Sequence, residues 1–432
     1  MAKVLERLYA WGLVIVFAGI VLHTPLTLWL GTIYPESALL IKSWKELLML
    51  LLVPIAVWLV TQRGLWRDFS GDWIFRLIVA FAALHLLLAA VWWHGAAPTF
   101  AGLAIDLRYI LFFALVYTLV RLLPQYKKMM ITIAVGGALV VTGFATLQYF
   151  LPADILTHIG YSDQTIKPYQ TVDENPEYIR VNSTLRGPNP LGAYAAAALA
   201  IVAAFATRHL RKQKDKKVFA LVSIVGLYSA VALWLSYSRS AIVAALIGIV
   251  TVFAVSIKKL SRNTMISIGI VTVIMIAVGI MARDSAFVQN VILHDNPTTG
   301  ATVTSNDAHV DSLQAGLTRM ADQPFGAGVG STGSASLLGE NGVIIENQYL
   351  FIAHESGWLG LALYIGIFGL VMWRLFIARK EWLPLGVFAS GIALALIGIL
   401  LPVWADDTVS IVWWGLAAIA IGGMHGKNTK SK

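Results

Sequence analysis

The chain contains no cysteine. That excludes disulfides and thiol chemistry and leaves the compartment open. Charge is also scarce: Asp, Glu, Lys and Arg make up 13% of the 432 residues, where soluble chains carry roughly 25%. With 58% hydrophobic residues, an ordinary soluble domain is excluded. The nine histidines show no HExxH or other close ligand spacing, so no metal site is expected. The glycine run GAGVGSTGS, from Gly326 through Gly328 and beyond, follows no strand and lies in no βαβ unit. It is therefore read as a turn that lets the backbone pass close to another element, with no dinucleotide cofactor. No internal repeat and no appended soluble domain is visible.

What the chain has in abundance is long apolar runs. A transmembrane helix needs about 20 mostly apolar residues. Twelve such runs lie near 8–30, 43–61, 74–93, 102–121, 129–150, 189–207, 218–236, 240–257, 264–282, 348–372, 384–402 and 408–423. The expected fold is an all-α polytopic membrane protein, a single integral domain over 1–432. An even number of spans puts both termini on one side, and basic residues of short loops are retained in the cytoplasm. With the termini inside, the inner segments hold 23 of the 32 basic residues, among them Arg63, Arg67, Lys127, Lys128, the cluster Arg208 to Lys217, Arg374 and Arg379. Of the 23 acids only Glu6, Asp68, Asp72, Asp215 and Glu381 share that side.

The first span follows Lys3 and Arg7 and precedes no A-x-A cleavage site, so it reads as an uncleaved anchor. The net charge of +9 is accounted for by short turns beside anionic lipid heads, and no nucleic-acid partner is expected. Two outer segments are long enough to carry chemistry: 151–188 and 284–345. In the second, Leu313, Leu317 and Met320 recur at helical spacing before Pro324, which predicts one or two short amphipathic helices lying over the membrane face.

Polar groups at the mouth of a membrane helix are costly and mark candidate sites. EYIRVNSTLRGPNPLGAY brings Arg180 and Arg186 to the entry of the sixth span, where guanidinium forks suit phosphate or simply snorkel. Arg239 sits in the tight turn LSYSRSA between the seventh and eighth spans. Its partner comes from a ligand or from a loop acid. Asp106 and Arg108, in the fourth span, are two apart and face different ways; phosphate contact and structural pairing stand equal for Arg108. Lys42 and Glu46, at i,i+4, read as a local pair. ENQYLFIAHESGWLG opens the tenth span with Glu346, Asn347 and Gln348, and carries His354 about two turns in. Gly357 and Gly360 allow close helix packing. A carboxylate at the edge of a partly dry cavity, as at Glu346, suits a general base. His354 is the second candidate, or else a buried histidine donating to a neighbour.

These residues carry a resemblance to the O-antigen ligase and O-antigen polymerase superfamily of bacterial envelope glycosyltransferases. The family pattern has a P-x-x-G-x-G turn, then a His-Asn pair, nine residues, Gly, two residues and Gly. DQPFGAGVG matches the turn with Gly326 and Gly328, and Asn347, Gly357 and Gly360 match the second pattern. RVNSTLRGPNPLGAY and LSYSRSA are similar to the family's arginine-containing segments. Glu346 stands where the family has its histidine, and four residues separate Arg186 from Leu191 where ligases show three. The resemblance implies a GT-C-like fold and an inverting, metal-independent glycosyltransferase in the cytoplasmic membrane. It implies transfer of a glycan from undecaprenyl pyrophosphate to a lipid- or glycan-linked acceptor at the outer face. Arg186 and Arg239, with Arg180 and Arg108, would hold the pyrophosphate, and Glu346 or His354 would act as base. The alternative of another class is a non-enzymatic glycolipid transporter or flippase, which would be expected to show related halves with interrupted helices.

Overall fold

A computed structural model describes residues 1–172, 174–210, 215–256, 285, 305–340 and 342–423, without the side chains of 210 and 305–312. Among them, nine helices are long and apolar enough to cross a membrane. They are α1 (Ala2–Ile33), α2 (Trp44–Gln62), α3 (Trp73–Val91), α4 (Ala96–Leu122), α5 (Pro124–Gln148), α6 (Pro188–His209), α7 (Lys216–Leu235), α8 (Arg239–Ser256) and α10 (Gln348–Ile377). Two shorter apolar helices, α11 (Trp382–Ile397) and α12 (Asp407–Gly422), follow. Before α10 comes the amphipathic helix α9 (Ser305–Asp322). The chain is a polytopic, all-α membrane protein. The expected span at 264–282 and the start of the second long loop lie outside the described residues.

Short polar residues open several helices by capping free amides. Asp72 accepts from Ile74 N at 3.0 Å ahead of α3, Asp215 from Lys217 N at 2.8 Å ahead of α7, and Asp406 from Val409 N at 2.9 Å ahead of α12. Between helices, small residues bring backbones together. A Cβ on Gly192 of α6 would meet Ala241 of α8 at 2.8 Å, and one on Gly386 of α11 would meet Ile201 Cα of α6 at 2.9 Å. The centre of the bundle is aromatic: Tyr109 and Phe113 of α4 pack on Trp414 of α12, Tyr109 also on Trp404 just before it, and Trp413 packs on both tryptophans.

Two details differ from the sequence reading. The loop 151–188 contains a small antiparallel hairpin, Gln170–Val172 with Asn175–Arg180, inside an otherwise helical chain. Lys42 is exposed and Glu46 is engaged by Lys45, Nζ to Oε1 3.0 Å. Lys45 is drawn inward by Asp407 and His23 on other helices, a long-range pull that i,i+4 spacing does not register. As expected, the helical pattern around Leu317 stops before Pro324, with α9 ending at Asp322. Leu313 and Leu317 stay exposed, as an apolar edge resting on a membrane surface would.

Candidate active site

The chemistry-bearing residues gather at the end of the bundle that carries the long loops. Arg180 ends the second strand of the hairpin. Its Nε donates to Ser236 O at 2.9 Å and its Nη2 to Asn189 Oδ1 at 2.6 Å. It thus ties the α7–α8 turn to the start of α6. That turn holds Tyr237 at φ 46, a left-handed conformation unusual for a bulky residue. The bend places half-buried Arg239 at the first position of α8. Gly192 presses against Ser236 and Ser238, so the turn that carries Arg239 lies against the first turns of α6. Arg186 is held behind Gly187 and Pro188, its side chain 39% exposed and its Nε 4.0 Å from Asp406 Oδ2. Burial pushes the Asp406 carboxyl above its ordinary range, and Arg186 beside it pulls the other way.

Next to Asp406, Asp407 is the hub of a buried charge cluster. Arg108 of α4 pairs with it and donates to Ala405 O at 2.6 Å. His23 of α1 lies 2.9 Å from its Oδ2, and Lys45 Nζ of α2 lies 3.7 Å from the same oxygen. Lys45 also touches His23 at 3.2 Å and Glu46 at 3.0 Å, while Trp44 Nε1 donates to His23 Nδ1 at 3.0 Å. Charges from α2, α4 and α12, with the His23 ring of α1 hydrogen-bonded among them, therefore neutralise one another in a place where an unpaired charge would be very costly. Arg108 is engaged by the protein, the structural alternative of the two left open by sequence. Asp106, on the other face of α4, sits 3.5 Å from His85 Nε2.

Glu346 is half-buried at the mouth of α10. The next residue, Asn347, caps that helix, its Oδ1 accepting from Tyr349 N and Leu350 N at 2.9 Å each. Its Nδ2 donates to Ile399 O at 2.7 Å. Gln348 N donates to Gly398 O at 2.7 Å and its Oε1 accepts from Trp404 N at 2.8 Å. The α11–α12 loop thus carries Glu346's neighbours on one side and Asp406 on the other.

The glycine run is threaded into a break in α10. At Gly357 the helix has φ 66 and ψ −169. Trp358 N donates to Pro324 O at 3.0 Å, Ala327 N to His354 O at 2.6 Å and Gly328 N to Glu355 O at 3.1 Å. A Cβ on Gly326 would lie 2.6 Å from Gly357 N, one on Gly328 would lie 2.7 Å from Trp92 Cβ, and one on Gly357 would overlap Pro324 O. Only glycine permits this approach. Gly360 leaves the space that Ser356 occupies once the helix is broken. His354 is buried behind the turn, 6% exposed, with no hydrogen-bond partner at Nδ1 and with Arg319 and His94 as neighbours.

Among the residues expected from sequence, Arg180 bridges the start of α6 and the turn before Arg239, Arg186 faces Asp406, Arg108 pairs with Asp407, and Glu346 stands across the α11–α12 loop. His354 is on the glycine-turn side. Sequence reasoning missed Lys45, Asp406 and Asp407 as cluster members, although paired acids heading an apolar run carry the same signal as Glu346. It also missed Glu355, masked by the adjacent histidine. Among the described residues no group of three or more His, Asp or Glu is placed to hold a metal ion. A comparison with curated proteins returns no match. Residues 224–373, from α7 to α10, match the family described as O-antigen ligase. That match is a similarity over about a third of the chain, and it supports the resemblance to the O-antigen ligase and polymerase superfamily.

Proposed function

We propose that this membrane glycosyltransferase moves a glycan from a polyprenyl pyrophosphate donor, undecaprenyl pyrophosphate, to an acceptor hydroxyl at the outer face of the cytoplasmic membrane. The observation that carries the donor is an apolar crevice between α5, α6, α7, α11 and α12, lined by Ala134, Tyr194, Val202, Leu221, Trp382 and Val409. Its Tyr194 and Val409 end lies close along the chain to Arg186 and Asp406. A lipid tail and a charged head thus have adjoining places.

Arg186 and Arg239 take the pyrophosphate. Arg186 is partly exposed and presents a fork for bidentate contact. Arg239 opens α8, so the free amides and dipole of that helix add to its charge. Arg180 acts on the same site by fixing the turn, and Arg108 by holding Asp407. Glu346 is the base: it is half-buried at the helix mouth, whereas His354 is sealed behind the glycine turn and ranks second.

The acceptor hydroxyl oxygen attacks the anomeric carbon, the bond from that carbon to the phosphate oxygen breaks, and the pyrophosphate leaves with the electron pair. Glu346 receives the hydroxyl proton, and the arginines stabilise the charge gathering on the pyrophosphate. A single displacement inverts the anomeric centre, and a leaving group this good needs no general acid. The positive-inside pattern puts both termini in the cytoplasm and the site outside.

Purified protein in detergent, given lipid-linked donor and acceptor, is expected to form product, which a transporter would not do. If Glu346→Gln and Arg239→Ala both leave product formation intact, the mechanism is wrong.

A further inference from the structure

Glu355 has no part in the scheme above, yet it is fully buried, 0% exposed. Its Oε1 accepts from two amides of the glycine turn, Gly330 N at 3.1 Å and Thr332 N at 3.3 Å. On its other side it faces Asp106, which in turn faces His85. His85 Nδ1 donates to Phe81 O at 2.8 Å, because a carbonyl oxygen only accepts. Glu355 thus grips the turn from α10 through Oε1, while its Oε2 is buried on the Asp106 side without a hydrogen-bond partner.

The grip continues along the chain. Thr332 Oγ1 donates to Val343 O at 2.9 Å, and Gly333 N donates to the same oxygen at 2.9 Å. Ser336 Oγ donates to Val343 O and accepts from Val343 N, both at 3.0 Å. Val343 is thus clamped just upstream of Glu346, while Asn347 is pinned just downstream by its cap and by Ile399 O. Held at both ends, the short tether has its Ile345 side chain buried, 1% exposed, and Glu346 at the helix mouth. Loss of the Val343 clamp would remove one of the two backbone restraints that flank Glu346.

We infer that Glu355 is a positioning residue that acts through Thr332 and Val343 to set the place of Glu346. The inference rests on the reading of Glu346 as base.

The test uses the purified full-length protein with an undecaprenyl pyrophosphate-linked oligosaccharide as donor and acceptor. Glu355→Ala is expected to lower kcat at least tenfold with donor KM within twofold. Glu355→Gln keeps an oxygen for the two amides and a donor toward Asp106, and is expected to retain at least half the rate. The double variant Glu346→Gln/Glu355→Ala is expected to be no slower than Glu346→Gln alone. Multiplying losses, or a Gln variant as poor as Ala, would overturn the inference. If Glu355→Ala does not fold, Thr332→Val, which removes one link to Val343, is expected to lower kcat several-fold with the same lack of additivity, and an unchanged kcat overturns the inference.

The absence of native cysteine allows a second readout that needs no turnover. A single Ile345→Cys is expected to resist a membrane-impermeant maleimide in the parent and with Glu355→Gln, and to label several-fold faster with Glu355→Ala. Unchanged labelling overturns the latch. Faster labelling in a protein whose Glu346→Gln variant is fully active would instead sink the base, leaving a latch without a catalytic role.

Discussion

Arg108 and Asp407, far apart in sequence, form a buried ion pair whose acid is shared with His23 and Lys45. Breaking such a pair from one side leaves a stranded charge, a loss of about 3–5 kcal/mol. Arg108→Met is therefore expected to lower thermal stability in detergent substantially. The double variant Arg108→Met/Asp407→Leu should recover part of that loss, because Lys45 keeps Glu46 and His23 can be neutral. Parallel melting curves of the single and double variants check this, and a double variant worse than the single by a further full increment would refute it.

At the opposite end, Arg374 Nη1 and Nη2 donate to the two oxygens of Asp72 at 2.7 and 2.6 Å, and Tyr117 OH lies 3.2 Å from Asp72 Oδ2. Burial works to raise the Asp72 carboxyl. The Arg374 bonds and charge, the Ile74 amide and Tyr117 outweigh it, so the group sits below its ordinary range. A depressed folded value means the stabilisation is present above the unfolded carboxylate range, near pH 4, and is lost as pH falls through the folded value. The midpoint difference between wild type and Asp72→Asn should thus be largest at neutral pH and shrink in acid. A difference independent of pH between 7 and 3 would exclude the mechanism.

For the pyrophosphate site, removing either arginine takes away charge that stabilises the leaving group. Arg186→Ala and Arg239→Ala should each lower kcat/KM by about 10²–10³, in line with loss of one preorganised electrostatic contact. Lysine should restore less than half of the lost free energy, since it lacks the planar fork. Steady-state kinetics on both pairs decides. Arg180→Ala is expected to lower activity through the turn, so its loss should not multiply with that of Arg239→Ala.

The apolar runs made the fold legible: among the described residues the nine long helices and two shorter ones lie where the length and apolarity of the runs put them. Candidate-site residues were legible where polarity interrupts such a run, at Arg186, Arg239 and Glu346. What lay beyond reading was pairing between distant segments. Nothing local to Lys45 points to Asp407, and its nearest acid in sequence suggested a different helix-surface pair. The role of Glu355 was hidden for a similar reason, because its partners are backbone amides of a turn whose glycines declare close approach without saying to what. The hairpin before Arg180 escaped because its strands are short and sit in a loop framed by helices.

The glycine turn offers the sharpest steric test. A Cβ on Gly357 would overlap Pro324 O and lie 2.6 Å from Phe325 C, and the residue sits at φ 66. Overpacking a fitted contact costs about 1–3 kcal/mol, and a non-glycine residue in a sparsely populated backbone region about 1–3 kcal/mol more. Gly357→Ala should lower stability by an amount in that combined range and release the turn. Gly369, with open space where a Cβ would go, is the control, and Gly369→Ala should be neutral or slightly stabilising as an ordinary helix substitution.

The crevice yields the last prediction. A tail leaving the bilayer for the crevice exchanges one apolar surround for another, so water exclusion contributes little and packing is what is gained. Filling the crevice should therefore cost a modest amount of affinity and leave the chemical step intact. Ala134→Trp is expected to raise KM for an undecaprenyl-linked donor several-fold with kcat nearly unchanged. The same variant should handle a donor with a short prenyl chain as well as wild type does, because that tail ends before the obstruction. Equal effects on both donors would show that the tryptophan acts on the bundle as a whole and that the tail lies elsewhere.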